Sequence, residues 1–337
     1  MAKQAKRSRK LRLALSGCGG MSRTHTRALR DVRQAEMVAL MDIVPQATEK
    51  LAAEMVSQGA PKPQLFTDFE RMVDSMDLDG VILVTPHSVH FPPAMYALQR
   101  GVHVLVEKPM VTDRGQAKKL VAQAKKSGRV VSIAFQSTYT PEFQFIKGLR
   151  EKGELGTVKS FVGSLTQDWL NFVRGTWRTD PKMSGGGQLY DSGSHMLNAM
   201  LWLTDLRPVE VFCFSDYMGQ KVDITSALVV RFQNGAMASL LISGGCPLFA
   251  SRIEIHCSKA VIYTASHGNT LTYYRGRDMV KYPHVSERGT ATPVANFVAS
   301  VLGKEEPKCP PIYGVRLAQL MDAVYESIRT GKVAKVM

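Results

Sequence analysis

A chain of 337 residues is long for one core and suits two domains of ordinary size. Its 45% apolar and 21% charged content is that of a soluble globular protein, and no stretch approaches the roughly 20 consecutive apolar residues of a membrane-spanning helix. The formal charge of +14 raises the question of nucleic acid. Lys3, Lys6, Arg7, Arg9, Lys10 and Arg12 supply six of those charges at the very start, however, and the other basic residues are spread along the chain, so a solvated surface is favoured over a nucleic-acid groove.

Residues 1–10 lack the apolar core and cleavage site of a secretory signal and read as a basic disordered tail. The five cysteines, Cys18, Cys213, Cys246, Cys257 and Cys309, form no C-x-x-C pair and follow no metal-ligand rhythm. They read as reduced thiols of a cytoplasmic protein.

Residues 11–131 alternate strand-like and helix-like segments. An apolar strand at 11–15 runs into Gly17-Cys18-Gly19-Gly20-Met21-Ser22, and a helix is expected over 22–32. Strand, glycine turn and helix in that order is the context in which a G-x-G-x-x-G-like string binds a dinucleotide. Gly17 allows the tight turn, Gly19 lets a pyrophosphate approach the backbone, and the helix start offers free N–H groups. Ser22 stands where a third glycine or alanine would be. A second strand at 37–41 ends at Asp42, near the distance expected of a carboxylate that hydrogen-bonds ribose hydroxyls and repels a 2′-phosphate, which favours NAD over NADP. Taken singly, these glycines could be a plain loop and Asp42 a helix cap.

The alternation continues through a strand at 81–84, a helix at 90–99, a strand at 102–106, a helix at 113–126 and a strand at 130–135. Such βαβ units imply a parallel sheet with ligand sites at the carboxyl strand ends, here Asp42, Thr85-Pro86-His87 and Glu107-Lys108-Pro109. Proline fixes the turn after Lys108, whose ammonium is either a structural ion-pair partner or a catalytic group. His87 and His90 have H-x-x-H spacing, but on a loop entering a helix no metal is expected.

The pattern changes from about residue 132. Helices are expected at 141–150, 292–302 and 314–329. Short strands are expected at 158–165, 209–214, 226–232, 236–242, 252–256, 260–264 and 270–274, with Asn234-Gly235 as a hairpin turn. The result is a large, mostly antiparallel open sheet with helices on one face, giving two domains, 11–131 and 132–337, with the last helix able to pack back on the first. An open sheet leaves its other face bare, so a homodimer or homotetramer through it is expected.

One segment of this half carries chemistry. Gly185-Gly186-Gly187 would let the backbone approach a ligand, and Asp191 and His195, at i and i+4 of the following helix, would share a face near its start. They supply a carboxylate and an imidazole that titrates near neutrality.

The glycine loop, Glu107-Lys108-Pro109, Trp177-Arg178, the glycine triplet, Asp191 and His195 together resemble the Gfo/Idh/MocA family of NAD(P)-dependent sugar and polyol oxidoreductases. The resemblance runs from about Leu11 to the C-terminal helix. It implies a Rossmann domain joined to an α/β domain with the active site between them, and Lys108, Asp191 and His195 as the catalytic trio. His195 is then the base in oxidation, Lys108 stabilises the charge developing on the reacting oxygen, and Asp191 holds the pair in register. Gly17, Gly19, Gly20, Met21, Asp42, Thr85, Pro86, His90, Glu107 and Lys108 are the expected cofactor contacts. His87, Tyr139, Trp169, Trp177, Arg178 and Asn198 are the expected substrate contacts, with a sugar platform and core packing both open for Trp169 and Trp177. Members of the family often place asparagine at His87 and aspartate at Asn198, and the arginine expected near Tyr139 is missing, so the substrate is not copied from any relative.

Three functions compete. The favoured one is an NAD-dependent dehydrogenase of a cyclic polyol, a sugar or a related glycoside. The second is a glycoside hydrolase that uses held NAD for transient C3 oxidation and elimination. The third is a non-catalytic NAD-binding regulatory protein.

Overall fold

The computed structural model describes residues 9–268, 270–280 and 292–337. The expected disordered tail through residue 8 lies outside them. Six strands, β1 (Leu11–Ser16), β2 (Ala35–Met41), β3 (Gln64–Phe66), β4 (Gly80–Leu83), β5 (His103–Val106) and β6 (Val131–Ile133), form one all-parallel sheet in the order 3-2-1-4-5-6. The helices between them are α1 (Ser22–Arg30), α2 (Pro45–Ser57), α3 (Phe69–Ser75), α4 (Phe91–Gln99) and α5 (Arg114–Ser127). Strand order reverses between β1 and β4, and in such sheets the crevice at the carboxyl ends of the two diverging strands is where ligands bind. β1, β4 and β5 are mostly apolar and, beyond Leu11, Arg12 and His103 at their starts, buried because both faces are covered.

The chain continues through α6 (Pro141–Glu151), β7 (Val158–Thr166), α7 (Trp169–Val173), α8 (Pro181–Ser184), α9 (Gly193–Thr204), β8 (Pro208–Asp216), β9 (Thr225–Phe232), β10 (Met237–Ser243), β11 (Ala250–Cys257), β12 (Ala260–Thr264), β13 (Leu271–Arg275), β14 (Asp278–Val280), α10 (Pro293–Val301), α11 (Pro311–Thr330) and β15 (Ala334–Lys335). Its nine strands make a second sheet, 14-13-12-11-7-10-9-8-15, antiparallel except for the parallel β7–β10 pair. β9 and β10 pair in register on either side of Asn234-Gly235, as the turn signal predicts, with one face buried and the other open.

The last helix ties the sheets together. α11 packs on β8 and on α5, while α10 lies over the parallel sheet, where the Phe297 ring sits 3.0 Å from where a Cβ on Gly80 would be. β3, α3, α7, α8, β14 and β15 went unread in the sequence. They are short or peripheral pieces fixed by pairing and by caps such as Asp68, whose carboxylate accepts the Arg71 N–H.

Candidate active site

Gly17 follows β1 with φ +97°, a conformation that favours glycine, and a Cβ there would lie 2.6 Å from the Val84 carbonyl at the end of β4. The two strand ends therefore touch at the point where strand order reverses. Gly19 and Gly20 are exposed, and a Cβ on either would meet nothing within 4 Å. Met21 precedes α1, which begins with no side-chain cap and no acidic residue in its first turn, leaving its N–H groups for an anion. Thr85 Oγ1 is buried with no partner. Asp42 Oδ2 accepts the Cys18 N–H at 2.7 Å and Oδ1 the Val44 N–H at 3.0 Å, so it steadies the glycine loop while keeping lone pairs for hydroxyls. A bare glycine rim, an orphaned hydroxyl and uncapped N–H groups at one strand end fit a dinucleotide.

Two expected cofactor contacts have other partners. Buried His90 places Nδ1 2.9 Å from the Pro109 carbonyl and Nε2 2.8 Å from the Thr85 carbonyl, leaving no ring nitrogen for a ligand and tying the ends of β4 and β5 together. Buried Glu107 lies 2.7 Å from His25 Nε2 of α1 and also accepts the Lys108 N–H at 3.1 Å. Burial pushes the Glu107 carboxyl up, but His25 and Lys108 outweigh it and hold it below its ordinary value. Pro86 opens the single turn at His87–Val89.

Lys108, directly after β5, reaches across to the second sheet's side of the crevice. Its Nζ donates to Asp191 Oδ1 at 2.7 Å and to the Asp191 carbonyl at 3.2 Å. Asp191 Oδ2 accepts from Trp169 Nε1 at 2.8 Å and from Arg178 Nε at 2.9 Å, and His87 Nε2 lies 3.8 Å from Oδ1. Burial raises the Asp191 carboxyl, yet Lys108, Arg178 and His87 overcome it and keep the group ionised, well below the carboxylate range. Lys108 is only slightly exposed and Arg178 about a third.

Three expectations are corrected here. Asp191 precedes α9, which starts at Gly193, so it does not share a helical face with His195, and its carboxylate engages Lys108 rather than the imidazole. His195 Nδ1 is buried with no partner, and its ring meets the edge of Phe135 at 5.7 Å. Burial, followed by Lys108 and His267, holds His195 well below its ordinary pKa, so the imidazole is neutral.

The glycine triplet is not a ligand cradle. A Cβ on Gly185 would strike Thr112, one on Gly186 the Tyr325 hydroxyl of α11, and one on Gly187 the Asp223 carbonyl. Buried Asp223 fixes this turn by accepting the Gly187 and Leu189 N–H groups, each at 2.8 Å. The glycines thus serve packing between neighbouring segments, which brings Asp191 to Lys108.

The expected substrate contacts divide. His87 is buried, lies 3.0 Å through Nδ1 from the Ser184 carbonyl, and meets Trp177 edge-on at 4.8 Å; burial and then Lys108 push its pKa down to about 3. The Arg178 guanidinium lies over Trp177 at 4.5 Å, so these three line one wall beside Asp191. Trp169 is almost fully buried and anchors Asp191 through its indole N–H, so it offers no face as a platform. Tyr139 is a core residue whose hydroxyl meets the Ile133 carbonyl and Ser132 Oγ, both at 3.2 Å. Asn198, one turn beyond His195, is fully buried with both polar atoms unpartnered. No local pattern marks His25, Asp223 or His267, which join the site only through tertiary topology. Among the described residues no cluster of three or more histidine, cysteine or acidic side chains could hold a metal.

A parallel sheet with a glycine-lined crevice at its switch point, met by a Lys–Asp pair and a neutral histidine on helix α9, beside a second sheet, defines a two-part dinucleotide-binding α/β protein. The description "Oxidoreductase family, NAD-binding Rossmann fold" matches residues 11–135, and "GFO/IDH/MocA C-terminal domain" matches residues 143–263. The chain belongs to the Gfo/Idh/MocA oxidoreductase family.

Among curated relatives it is 30% identical to the uncharacterised oxidoreductase YdgJ of Escherichia coli over 58% of this chain and 54% of that one. It is 26% identical to levoglucosan dehydrogenase of Pseudarthrobacter phenanthrenivorans over 57% and 51%. The chain spans about half the length of these relatives. Its fold matches the WlbA dehydrogenase from Bordetella pertussis, solved with NADH and UDP-GlcNAcA, at TM-score 0.85 and 22% identity over 98% of this chain and 99% of that one. It also matches the aldose-aldose oxidoreductase from Caulobacter crescentus at 0.83 and 23% over 97% and 100%.

Proposed function

We propose that this chain is an NAD-dependent dehydrogenase acting on a secondary alcohol of a sugar, a cyclic polyol or a glycoside. The observation that carries the reading is the 2.7 Å ion pair between Lys108, at the end of a parallel strand, and Asp191, just before the helix α9 that carries the neutral His195. NAD, when bound, supplies the hydride acceptor. His195, neutral before reaction, takes the hydroxyl proton through Nε2, since Nδ1 is buried. Lys108 hydrogen-bonds the same oxygen and stabilises its developing negative charge, with Asp191 fixing the direction of Nζ. Arg178, Trp177 and His87 form a wall that contacts the remaining hydroxyls. Asp42 at the end of β2 favours NAD over NADP, because a 2′-phosphate would meet a carboxylate.

A screen of inositols, monosaccharides and glycosides with purified protein and either cofactor tests this reading. Net NADH with one class of alcohol, and a preference for NAD, is the expected result. Release of an aglycone without net NADH points instead to a hydrolase, and preference for NADP overturns the role given to Asp42.

A further inference from the structure

His195 is not the only imidazole at the crevice. His267, in the turn between β12 and β13, lies against it with ring centroids 4.8 Å apart and planes tilted by 37°. Residues 265–268 of the turn are held by several contacts. Ser266 N–H donates to Ser251 Oγ at 2.9 Å, Ser266 Oγ lies 2.9 Å from His267 Nδ1, and Gly268 N–H returns to the Ala265 carbonyl at 3.0 Å. Gly268 has φ +74°, and a Cβ on it would lie 2.7 Å from Thr140 Oγ1 at the start of α6, so the turn is seated against that helix. Phe249 of the adjacent segment closes on the His267 ring edge-on at 5.5 Å. A surface histidine needs none of this support.

Each of the two rings has one nitrogen free to meet a ligand. Nδ1 of His267 is taken by Ser266, and Nδ1 of His195 is buried without a partner, which leaves Nε2 on both. Both rings are pushed below their ordinary pKa, first by burial and also by Lys108, so each is neutral and meets a hydroxyl as donor or acceptor.

Two adjoining rings, each with a free Nε2, suit two hydroxyls on adjacent carbons. Resting on the dehydrogenase reading, we propose that His267 is a specificity-determining residue: its Nε2 hydrogen-bonds the hydroxyl next to the one His195 deprotonates, so that the site selects a vicinal diol. Arg178, Trp177 and His87 then meet the opposite side of the substrate, beside Asp191.

The test pairs each active polyol or aldose of the substrate screen with its monodeoxy derivatives at the carbons flanking the oxidised one. The wild type should show a KM about tenfold higher for one of these derivatives, the effect of one lost hydrogen bond to a buried neutral partner, with little change in kcat. His267→Ala should raise KM for the diol by a similar factor and abolish the discrimination, and His267→Gln, which keeps a donor and an acceptor, should restore part of it. Lack of discrimination by the wild type, or discrimination that survives in His267→Ala, overturns the inference.

Calorimetry of the NADH-bound protein with the same diols and derivatives reads the contact without turnover. Binding that discriminates but is never followed by oxidation sinks the dehydrogenase reading alone. Binding without discrimination, or no binding at all, sinks the role of His267.

Discussion

Asp191 accepts hydrogen bonds from three side chains on three separate segments, Lys108, Trp169 and Arg178, and this convergence sets the electrostatics around it. The neighbouring histidines are neutral, with His87 at about 3 and His195 well below 6.5, through burial first and then Lys108, against the pull of Asp191. In the unfolded chain both titrate near 6.5, so below that pH the unfolded state binds protons that the folded state does not. Stability is therefore complete above about pH 6.5 and falls as the solution is acidified, by about 1.4 kcal/mol per pH unit for each group, until the folded pKa is reached. Asp191 acts in the same sense but only below 3.8, because its folded pKa is depressed. Urea unfolding at pH 7, 6 and 5 should show this decline, and stability that holds level over the interval contradicts the assignment.

Lys108, Asp191, His195 and Arg178 stood out in the sequence by residue type and by the family resemblance, while the i, i+4 spacing read for Asp191 and His195 misled, because the helix starts only at Gly193. The burial of Trp169 and Tyr139 was not legible, since no local pattern says which neighbour an aromatic ring meets.

Among the elements, the junction of α1 and β5 bears most directly on the site. His25 and Glu107, 82 positions apart, form a buried 2.7 Å contact that joins the helix following the glycine loop to the strand end carrying Lys108. Removing the partner of a buried carboxylate leaves it without that hydrogen bond, which costs roughly 1–3 kcal/mol. His25→Ala should lose about that much in chemical unfolding and weaken NAD binding measured by calorimetry; a variant that unfolds like wild type would show the pair to be incidental. The strands and helices flanking this junction were readable from apolar runs and glycine turns. The glycine triplet was readable only as a motif: its contacts with Thr112, Tyr325 and Asp223 come from segments 36 to 139 positions away, beyond the reach of local sequence.

At the scale of the whole molecule, the second sheet has a buried face under α9 and α11 and a bare one. Val162, Val229, Met237 and Leu241 on the bare face are 41 to 60% exposed, and Val162 and Val229 flank Ser239 in one cross-strand row. Bare apolar rows of this kind are costly in water, and we propose that a second copy covers them in a homodimer or homotetramer. Sedimentation should give a multiple of the 37.2 kDa chain, with Leu241→Glu shifting it toward one copy; a wild-type monomer at micromolar concentration contradicts this. No helix among the described residues is long and apolar enough to cross a membrane, in line with the composition. The alternation of the first half and the hairpin spacing of the second made both sheets legible. Their relative placement was not, because α11 bridges them by packing on α5 and β6 of the first and on β8 and β15 of the second, far apart in the chain.

The central claim is that Lys108 handles the reacting oxygen and does not merely balance Asp191. Lys108→Met measures this most directly, by NAD binding in calorimetry and by turnover on the best alcohol of the screen. NAD affinity close to wild type with kcat lower by a factor of about 100 to 1,000 is the predicted result. Turnover at the wild-type rate on the same alcohol would contradict it.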